Sequence, residues 1–502
     1  MSAIAASEVQ AVPVDPDVDV LERLLGAQRS AFLEEGPPSL EVRLNRIDRL
    51  VTGILEVAGD LADALDADFG SRPRAASMIT DGLGLLPGIA HVRENLASWM
   101  KDRPVPGSQE AGTPAFVQSM PKGVVGVIGP WNFPVSLVIQ PTIEALAAGN
   151  RVMIKISEVP SRTADVVAAA VARRMRPDEV VVVRGGPHTA AAFSSLPFNH
   201  LIFTGSPGVG ARVAEAAGRN LVPLTLELGG KNPVVLGSDA DLDLAAERIA
   251  GARLINGGQL CLCPDYVFVP RASLEDFADK YEGAMRKLFP TYADNATVTS
   301  VVDERNFDRV NGLVADAEAK GARVRRLVPD NELDRLPDRS TRRIPPTLLL
   351  DVTSDMAVTS EEIFGPVLTM FPYDKLHETI DYVNAHPSPL AAYFFGSDGP
   401  EFREFIGRAL SGGVTRNDLV MHWGVVGAPS GGVGQSGMGA YSGKIGYDTF
   451  SHLRTVAANI GPMGIAGQML PPADPATVGA LQGMIASALD EFRGRISADE
   501  EA

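Results

Sequence analysis

The chain has 502 residues, 45% of them hydrophobic and 21% charged, too long for one hydrophobic core and with the composition of a globular enzyme. Its formal net charge of −17 repels phosphate backbones and anionic lipid, which argues against nucleic-acid and membrane partners. No apolar run reaches the roughly 18–20 residues of a spanning helix, and the start, Ala-rich and acidic, lacks the basic and apolar regions of a secretion signal. The only two cysteines, Cys261 and Cys263, point to a reducing cytoplasm rather than a disulfide framework.

Residues 1–38 read as a loose terminal segment. From Leu40 to Asp66 apolar residues recur at helical spacing (Leu44, Ile47, Leu50, Val51, Ile54, Leu55), which predicts one long amphipathic helix. From Gly123 to Glu227, β-branched runs (GVVGVIG, RVMIKIS, EVVVVRGG, HLIFTGS, PLTLEL) alternate with Ala-rich helical stretches. That pattern predicts a parallel sheet covered on both faces. A second alternating series runs from NPVVLG through DYVFVP, TLLLDV and AAYFFG to GGVTRND, a second α/β domain. Residues 324–346 are basic and irregular, an insertion or an edge of that domain. Beyond Arg454, GPMGIAGQMLPPADP reads as loop and ATVGALQGMIASALDEFRGRI as one amphipathic helix with an acidic end. The expected organisation is therefore a cofactor domain over 39–226, a catalytic domain over 227–418, a return segment over 419–460 and an extension over 461–502.

Several short patterns are suited to chemistry, each with a plainer alternative. GVGQSG, Gly432 to Gly437, fits G-x-G-x-x-G literally, but no apolar strand precedes it and no periodic helix follows, so it reads as a Gly-rich loop. In FTGSPGVGARVAEAAG a strand runs through Gly205, Ser206 and Gly210 into a helix; such a junction suits a pyrophosphate, or is an ordinary turn. Lys155 and Glu158 follow a strand of the same sheet, where they either hold ribose hydroxyls or form a solvated pair. PWNFP fixes Asn132 between prolines, as an oxyanion donor or as a capped helix start. Glu227 ends an apolar strand ahead of two glycines, as a buried structural group or a general base. Cys261 follows a Gly-Gly turn, as a nucleophile or a small apolar filler. Residues two apart point to opposite faces of a strand, so the two thiols do not suit one metal ion, and none of the seven histidines is near in sequence.

In this order, PWNFP, KxxE, FTGSxxVG, LELGGK, GQxC and EEIFGPV (Glu361 to Val367), the motifs resemble the aldehyde dehydrogenase superfamily over residues 40–455. The spacing of Glu227 from Cys261 is also the family's. NRVMIKISE, LPFNHLIFTGS and GGVGQSGMGAYSGKIGYDTFSHLRTV resemble its class 3 branch and, within it, the coniferyl aldehyde dehydrogenase-like members. The chain departs from the pattern at Gly257 and Leu260, where the family commonly has Ala and Thr, and at Cys263. It departs again at Ser430, which replaces a bulky aromatic near the substrate entrance of relatives and weakens inference about the substrate.

The resemblance implies a Rossmann-like cofactor domain, an α/β catalytic domain and a small oligomerisation arm. It also implies oxidation of an aldehyde, aromatic or medium-chain, to the carboxylic acid. Cys261 would be the nucleophile, Glu227 the base for thioester hydrolysis, and the Asn132 amide with the Cys261 N–H the oxyanion donors. For the cofactor it implies Lys155 and Glu158 at the adenine ribose, and Ser206 with the Gly205–Gly210 turn at the pyrophosphate. Glu362 would lie at the nicotinamide ribose with Phe364 near the same ring, and Trp131, Leu228 and Gly229 would also bind the cofactor. Glu158 favours NAD, with NADP accepted. A homodimer is implied, through an arm near 113–123 and a strand within 447–457. A CoA-acylating dehydrogenase and a non-catalytic NAD-binding thiol-redox protein are the alternatives.

Overall fold

The β-branched runs become strands because each is apolar on both faces and lies between helices that cover both. After β1 (Arg103–Pro104) and β2 (Ala115–Pro121) come β3 (Val124–Ile128), β4 (Arg151–Lys155), β5 (Val180–Val183), β6 (His200–Gly205) and β7 (Leu224–Leu228). The chain then enters a second sheet with β8 (Asn232–Leu236), β9 (Pro264–Pro270), β10 (Arg323–Arg326), β11 (Thr347–Leu350), β12 (Val367–Tyr373), β13 (Ala391–Phe395) and β14 (Gly413–Arg416). It returns through β15 (Gly437–Met438) and ends its strands with β16 (Ser451–Ala457). The computed structural model describes residues 12–461, 464 and 474–500.

The first sheet has the order β15-β7-β6-β3-β4-β5 and is parallel except for β15. The chain winds outward from β3 through β4 to β5, then crosses to β6 on the other side of β3. A doubly wound sheet binds ligands outside its carboxyl ends at this reversal. The second sheet has the order β10-β11-β12-β9-β8-β13-β14, with only β10 antiparallel. The basic stretch after residue 323 is thus an edge strand followed by irregular chain.

Both sheets lie in one compact unit, Met1–Lys101 with Ser119–Leu453; a second unit comprises Asp102–Gln118 and Arg454–Ala502. The arm begins earlier than the expected 113–123, since β1 pairs with β2, and β1, β2 and β16 form a three-stranded sheet. The strand expected within 447–457 starts at Ser451, because residues up to Thr449 belong to the helix Gly443–Thr449. The loop GPMGIAGQMLPPADP falls largely outside the described residues. The helix after it spans Pro475–Glu500 and exposes Val478, Leu481, Ile485, Leu489, Phe492 and Ile496 along one side. Among the described residues no helix is long and apolar enough to cross a membrane.

Two expectations need correction. Residues 1–38 are not loose throughout: Val18–Glu35 is a helix capped by the Asp17 side chain, and it buries Leu21, Leu25 and Gln28. Its apolar side joins the core formed by Val124, Met153, Val181 and Phe193, and Gln28 Nε2 donates to Val152 O at 3.0 Å. The preceding acidic, proline-bearing text masks this helix in the sequence. The predicted helix over 40–66 is two, Leu40–Leu55 and Ala58–Phe69, because the backbone leaves helical geometry at Val57, where φ is −110° and ψ is 16°.

The fully buried Leu21 makes the first helix a structural element. Leu21→Ala is expected to cost about 2–4 kcal/mol of packing, seen as a lower thermal-unfolding midpoint; an unchanged midpoint would show that the helix does not contribute to the fold.

Candidate active site

The carboxyl ends of β3, β4, β6 and β7 open onto a cavity of about 1140 Å³, whose wall includes Trp131, Asn132, Lys155, Glu158, Gly205, Ser206, Glu227, Leu228, Gly229, Cys261, Glu362 and Phe364. The structure therefore brings together every candidate residue except Gly210. Gly210 lies one helical turn behind the wall, and a Cβ there would come 2.6 Å from Leu228 Cδ2. Its part is to let the helix Pro207–Gly218 pack closely on the end of β7. Ser206 is the N-terminal flanking residue of that helix, whose positive dipole end lies at the cavity, a setting suited to an anion. Lys155 is buried; its Nζ donates to Ile156 O at 2.7 Å and lies 3.8 Å from the Glu158 carboxylate. GVGQSG makes a tight turn, Gly434–Ser436, leading into β15, and only Gln435 of it lines the cavity.

Cys261 is held by a backbone that few residues can adopt. Asn256, Gly257 and Gly258 all take left-handed φ, at 52°, 65° and 80°. A Cβ on Gly257 would lie 2.7 Å from Thr299 O, so the turn as it stands favours glycine there. Past this turn, Asn232 Nδ2 donates to Cys261 O at 2.7 Å and to Cys263 O at 2.9 Å, and Tyr393 Oη donates to Leu262 O at 2.5 Å. Three successive carbonyls are thereby fixed, and the two sulfurs take opposite sides. Cys261 is partly exposed, to the cavity. Cys263 is buried in the catalytic core with its Sγ 3.3 Å from Arg253 Nη1.

Glu227 is buried at the end of β7, between Thr204 on β6 and Gly437 on β15. Among the described residues neither carboxyl oxygen has a hydrogen-bond partner. Burial, reinforced by the negative charge of Glu144, pushes its pKa well above the ordinary carboxylate value. Glu144 is itself raised to about 7 by burial, although Gln140 Nε2 and the Ser442 N–H donate to it at 2.9 and 3.0 Å. The same enclosure, together with Glu362 and Glu227, pushes the Cys261 thiol up to about 12, against the opposing pull of the Cys261 and Leu262 N–H groups. Burial also raises Glu362, to about 8. The absence of a side chain at Gly229 makes room for it, since a Cβ there would lie 2.8 Å from Glu362 Oε1.

Asn132 Nδ2 donates one hydrogen to Gln259 O at 3.1 Å, which aims the amide along the Cys261 turn. Several residues not singled out from the sequence position these groups. Arg72 Nη1 donates to Asn132 O at 2.8 Å while its Nη2 pairs with Asp81 at 2.7 Å. Asp81 in turn accepts from Val135 N and Ser136 N at the start of the next helix. Lys231 Nζ pairs with Asp265 and donates to Val358 O at 2.8 Å and Glu361 O at 3.0 Å. Arg309 donates to Glu362 O and Ile363 O at 3.0 and 2.8 Å. Lys231 lies within LELGGK and was legible as part of that motif; Arg72 and Arg309 carry no local signal. Trp131 and Phe364 meet edge to face at 5.3 Å, and Phe364 takes a left-handed φ of 47°. Ser430 is buried and bridges Tyr441 through paired backbone bonds of 2.8 and 2.9 Å.

A doubly wound sheet, a second α/β sheet and a thiol facing a carboxyl across a nucleotide-sized cleft define an α/β oxidoreductase. More narrowly, the chain belongs to the aldehyde dehydrogenase family, whose model matches residues 14–456, and it is an aldehyde dehydrogenase. It is 46% identical over 442 residues to a probable coniferyl aldehyde dehydrogenase of Caulobacter vibrioides, covering 87% of this chain and 90% of that one. It is 35% identical over 430 residues to the dimeric NADP-preferring aldehyde dehydrogenase of Rattus norvegicus, covering 85% and 92%. A solved structure of the substrate-bound state of Staphylococcus aureus AldH superimposes with a TM-score of 0.85 at 30% identity, covering 93% of this chain and 99% of that one.

Because the Glu144 charge raises the Glu227 pKa, Glu144→Gln should lower it. With Glu227 acting as a base, which is lost as pH falls through its pKa, the acid limb of kcat against pH should move to lower pH. A limb that stays in place or moves upward would remove Glu144 from the electrostatics of Glu227.

Proposed function

We propose that the chain oxidises an aromatic aldehyde of coniferyl type, or a medium-chain apolar aldehyde, to its carboxylic acid, with NAD preferred as electron acceptor and NADP accepted. The observation that carries this reading is that Cys261, Asn132 and Glu227 open onto the same cavity as the Lys155, Ser206 and Glu362 groups. The similarity to a probable coniferyl aldehyde dehydrogenase supports the substrate class.

The cavity fits a dinucleotide in three respects. It has a glycine-bearing turn at a helix N-terminus, an ammonium–carboxylate pair at one end, and at the other a carboxyl seated over Gly229, where a Cβ would collide. Lys155 and Glu158 would hold the adenine ribose, Ser206 with the Gly205–Gly210 turn the pyrophosphate, and Glu362 the nicotinamide ribose. Trp131, Leu228, Gly229 and Phe364 would shape the nicotinamide end. Bound there, the oxidised cofactor supplies a hydride acceptor and a positive charge that opposes the field of the two carboxyls on Cys261.

Cys261, once ionised, attacks the aldehyde carbon to form a thiohemiacetal. Its oxyanion is met by the free Asn132 Nδ2–H and the Cys261 N–H. Loss of hydride leaves a thioester on Sγ. Glu227 removes a proton from water, which attacks the thioester and releases the acid and the Cys261 sulfur. Its raised pKa makes it a stronger base than an exposed carboxylate.

The presence of Glu227 supports hydrolysis over acyl transfer to CoA. The opposed sulfurs do not suit a thiol-redox pair. A relative named as dimeric supports a homodimer, and two free cysteines support a reducing, cytoplasmic setting.

Cys261→Ala should lower aldehyde oxidation by roughly 10³-fold or more while NAD still binds, and CoA should not raise the native rate of NADH formation. Retained oxidation in Cys261→Ala would overturn the reading. Because Glu158 repels a 2′-phosphate, direct titration should give a lower Kd for NAD than for NADP; the reverse order would remove Glu158 from the adenine ribose.

A further inference from the structure

Asn132 follows β3 of the first sheet, whereas the nucleophile turn leads into β9 of the second, and one side chain joins them. Asn256 Nδ2 donates to Asn132 O and to Gln259 O, both at 3.2 Å. Asn132 Nδ2 donates to the same Gln259 oxygen at 3.1 Å. Asn132 is thus tied twice: its main chain by Asn256, and its amide by a carbonyl that Asn256 also holds.

Asparagine suits this position for two reasons. Its left-handed φ of 52° is one that asparagine adopts more readily than most side chains. Both groups facing the amide nitrogen are carbonyl oxygens, which only a donor can satisfy. The Asn256 Oδ1 is buried and among the described residues has no partner. The cost of that unpaired oxygen offsets part of what the two long bonds contribute, so the side chain matters for placement more than for stability.

The turn keeps its shape by other means. Asn256 O accepts from Gln259 N at 3.2 Å and from Gln259 Nε2 at 2.8 Å. The wholly buried Gln259 amide also donates to Ser300 O at 3.0 Å and accepts from Val302 N at 2.9 Å. On its other side Asn132 O accepts from Arg72, whose partner Asp81 holds the helix start that follows Asn132. Arg72 therefore fixes Asn132 within its own segment, and Asn256 sets it against the turn.

We propose that Asn256 is a positioning residue for aldehyde oxidation, which sets Asn132 against the Cys261 turn so that the second Asn132 Nδ2–H and the Cys261 N–H converge on one oxyanion. This rests on the proposed reading of Asn132 as an oxyanion donor. Such donors act only when they are in place before the charge develops. Loss of the clamp therefore slows attack at the aldehyde carbon and spares both cofactor binding and the thiol.

The test uses the full-length protein and its Asn256→Gly, Asn256→Asp, Asn132→Ala and Asn132→Ala/Asn256→Gly variants. Glycine removes the clamp and tolerates the left-handed backbone; aspartate keeps the shape but presents acceptors to both carbonyls. In Asn256→Gly, kcat/KM for aldehyde oxidation should fall about tenfold or more. Direct titration should give an unchanged NAD Kd, and iodoacetamide should alkylate Cys261 at an unchanged rate, because alkylation builds no oxyanion. In the Asn132→Ala background Asn256→Gly should cost nothing further, since residues that act as a unit are non-additive. Asn256→Asp should lose at least as much kcat/KM as Asn256→Gly, so the result does not depend on the glycine variant alone. An unchanged kcat/KM in both Asn256 variants overturns the proposal. Losses that multiply in the double variant also overturn it, because Asn256 would then act apart from Asn132. So does an alkylation rate or NAD affinity that falls with oxidation, which would make Asn256 a general support of the site. If Asn132→Ala by itself leaves kcat/KM unchanged, the oxyanion reading fails and the proposal with it.

Discussion

The hydrogen bonds from Asn232 to the carbonyls of Cys261 and Cys263 are the constraint on which the site depends. Asn232 is wholly buried at the start of β8, and its Oδ1 accepts from Ala391 N at 2.8 Å. One side chain thus ties the nucleophile turn to two strands of the catalytic sheet. With Tyr393 on the carbonyl between them, the turn has no freedom to exchange its two sulfurs. Which of the two sulfurs opens onto the cavity is thus a matter of backbone hydrogen bonding.

The second organising feature is the scarcity of polar partners around the reacting groups. Among the described residues Glu227 has none, and Cys261 faces two carboxyls. Burial raises the pKa of Glu227, Glu144, Glu362 and Cys261 alike, because it penalises the charged form of each. Three positive side chains of the site hold backbone: Arg72 at Asn132, Lys231 and Arg309 at the segment 361–363. Lys231 and Arg309 also line the cavity, where their charge opposes the rise in the Glu362 pKa.

The strands of both sheets were legible in the sequence because parallel strands buried on two faces are written as unbroken apolar runs. Cys261, Glu227 and Asn132 were legible because each sits in a motif with rigid local neighbours. What the sequence hid is long-range. Arg72 reaches Asn132 across 60 positions and Tyr393 reaches Leu262 across 131, and no local pattern marks either donor. Gly210 illustrates a different limit: a motif places a glycine at the phosphate turn, yet only the packing against Leu228 shows that it serves the helix rather than the cavity wall. The first helix was missed because the helical signal of Leu21, Leu25 and Gln28 follows directly on acidic, proline-bearing text.

Gly229 has a consequence for redesign. It follows Glu227 by two residues on the same strand exit, and the space it leaves is filled by the carboxyl of Glu362. Glu362, from a distant part of the chain, therefore packs against the peptide that follows Glu227. An attempt to enlarge, shift or replace Glu362 will press on the strand end that carries Glu227. In engineering terms these positions are one part rather than two, and they are best varied together.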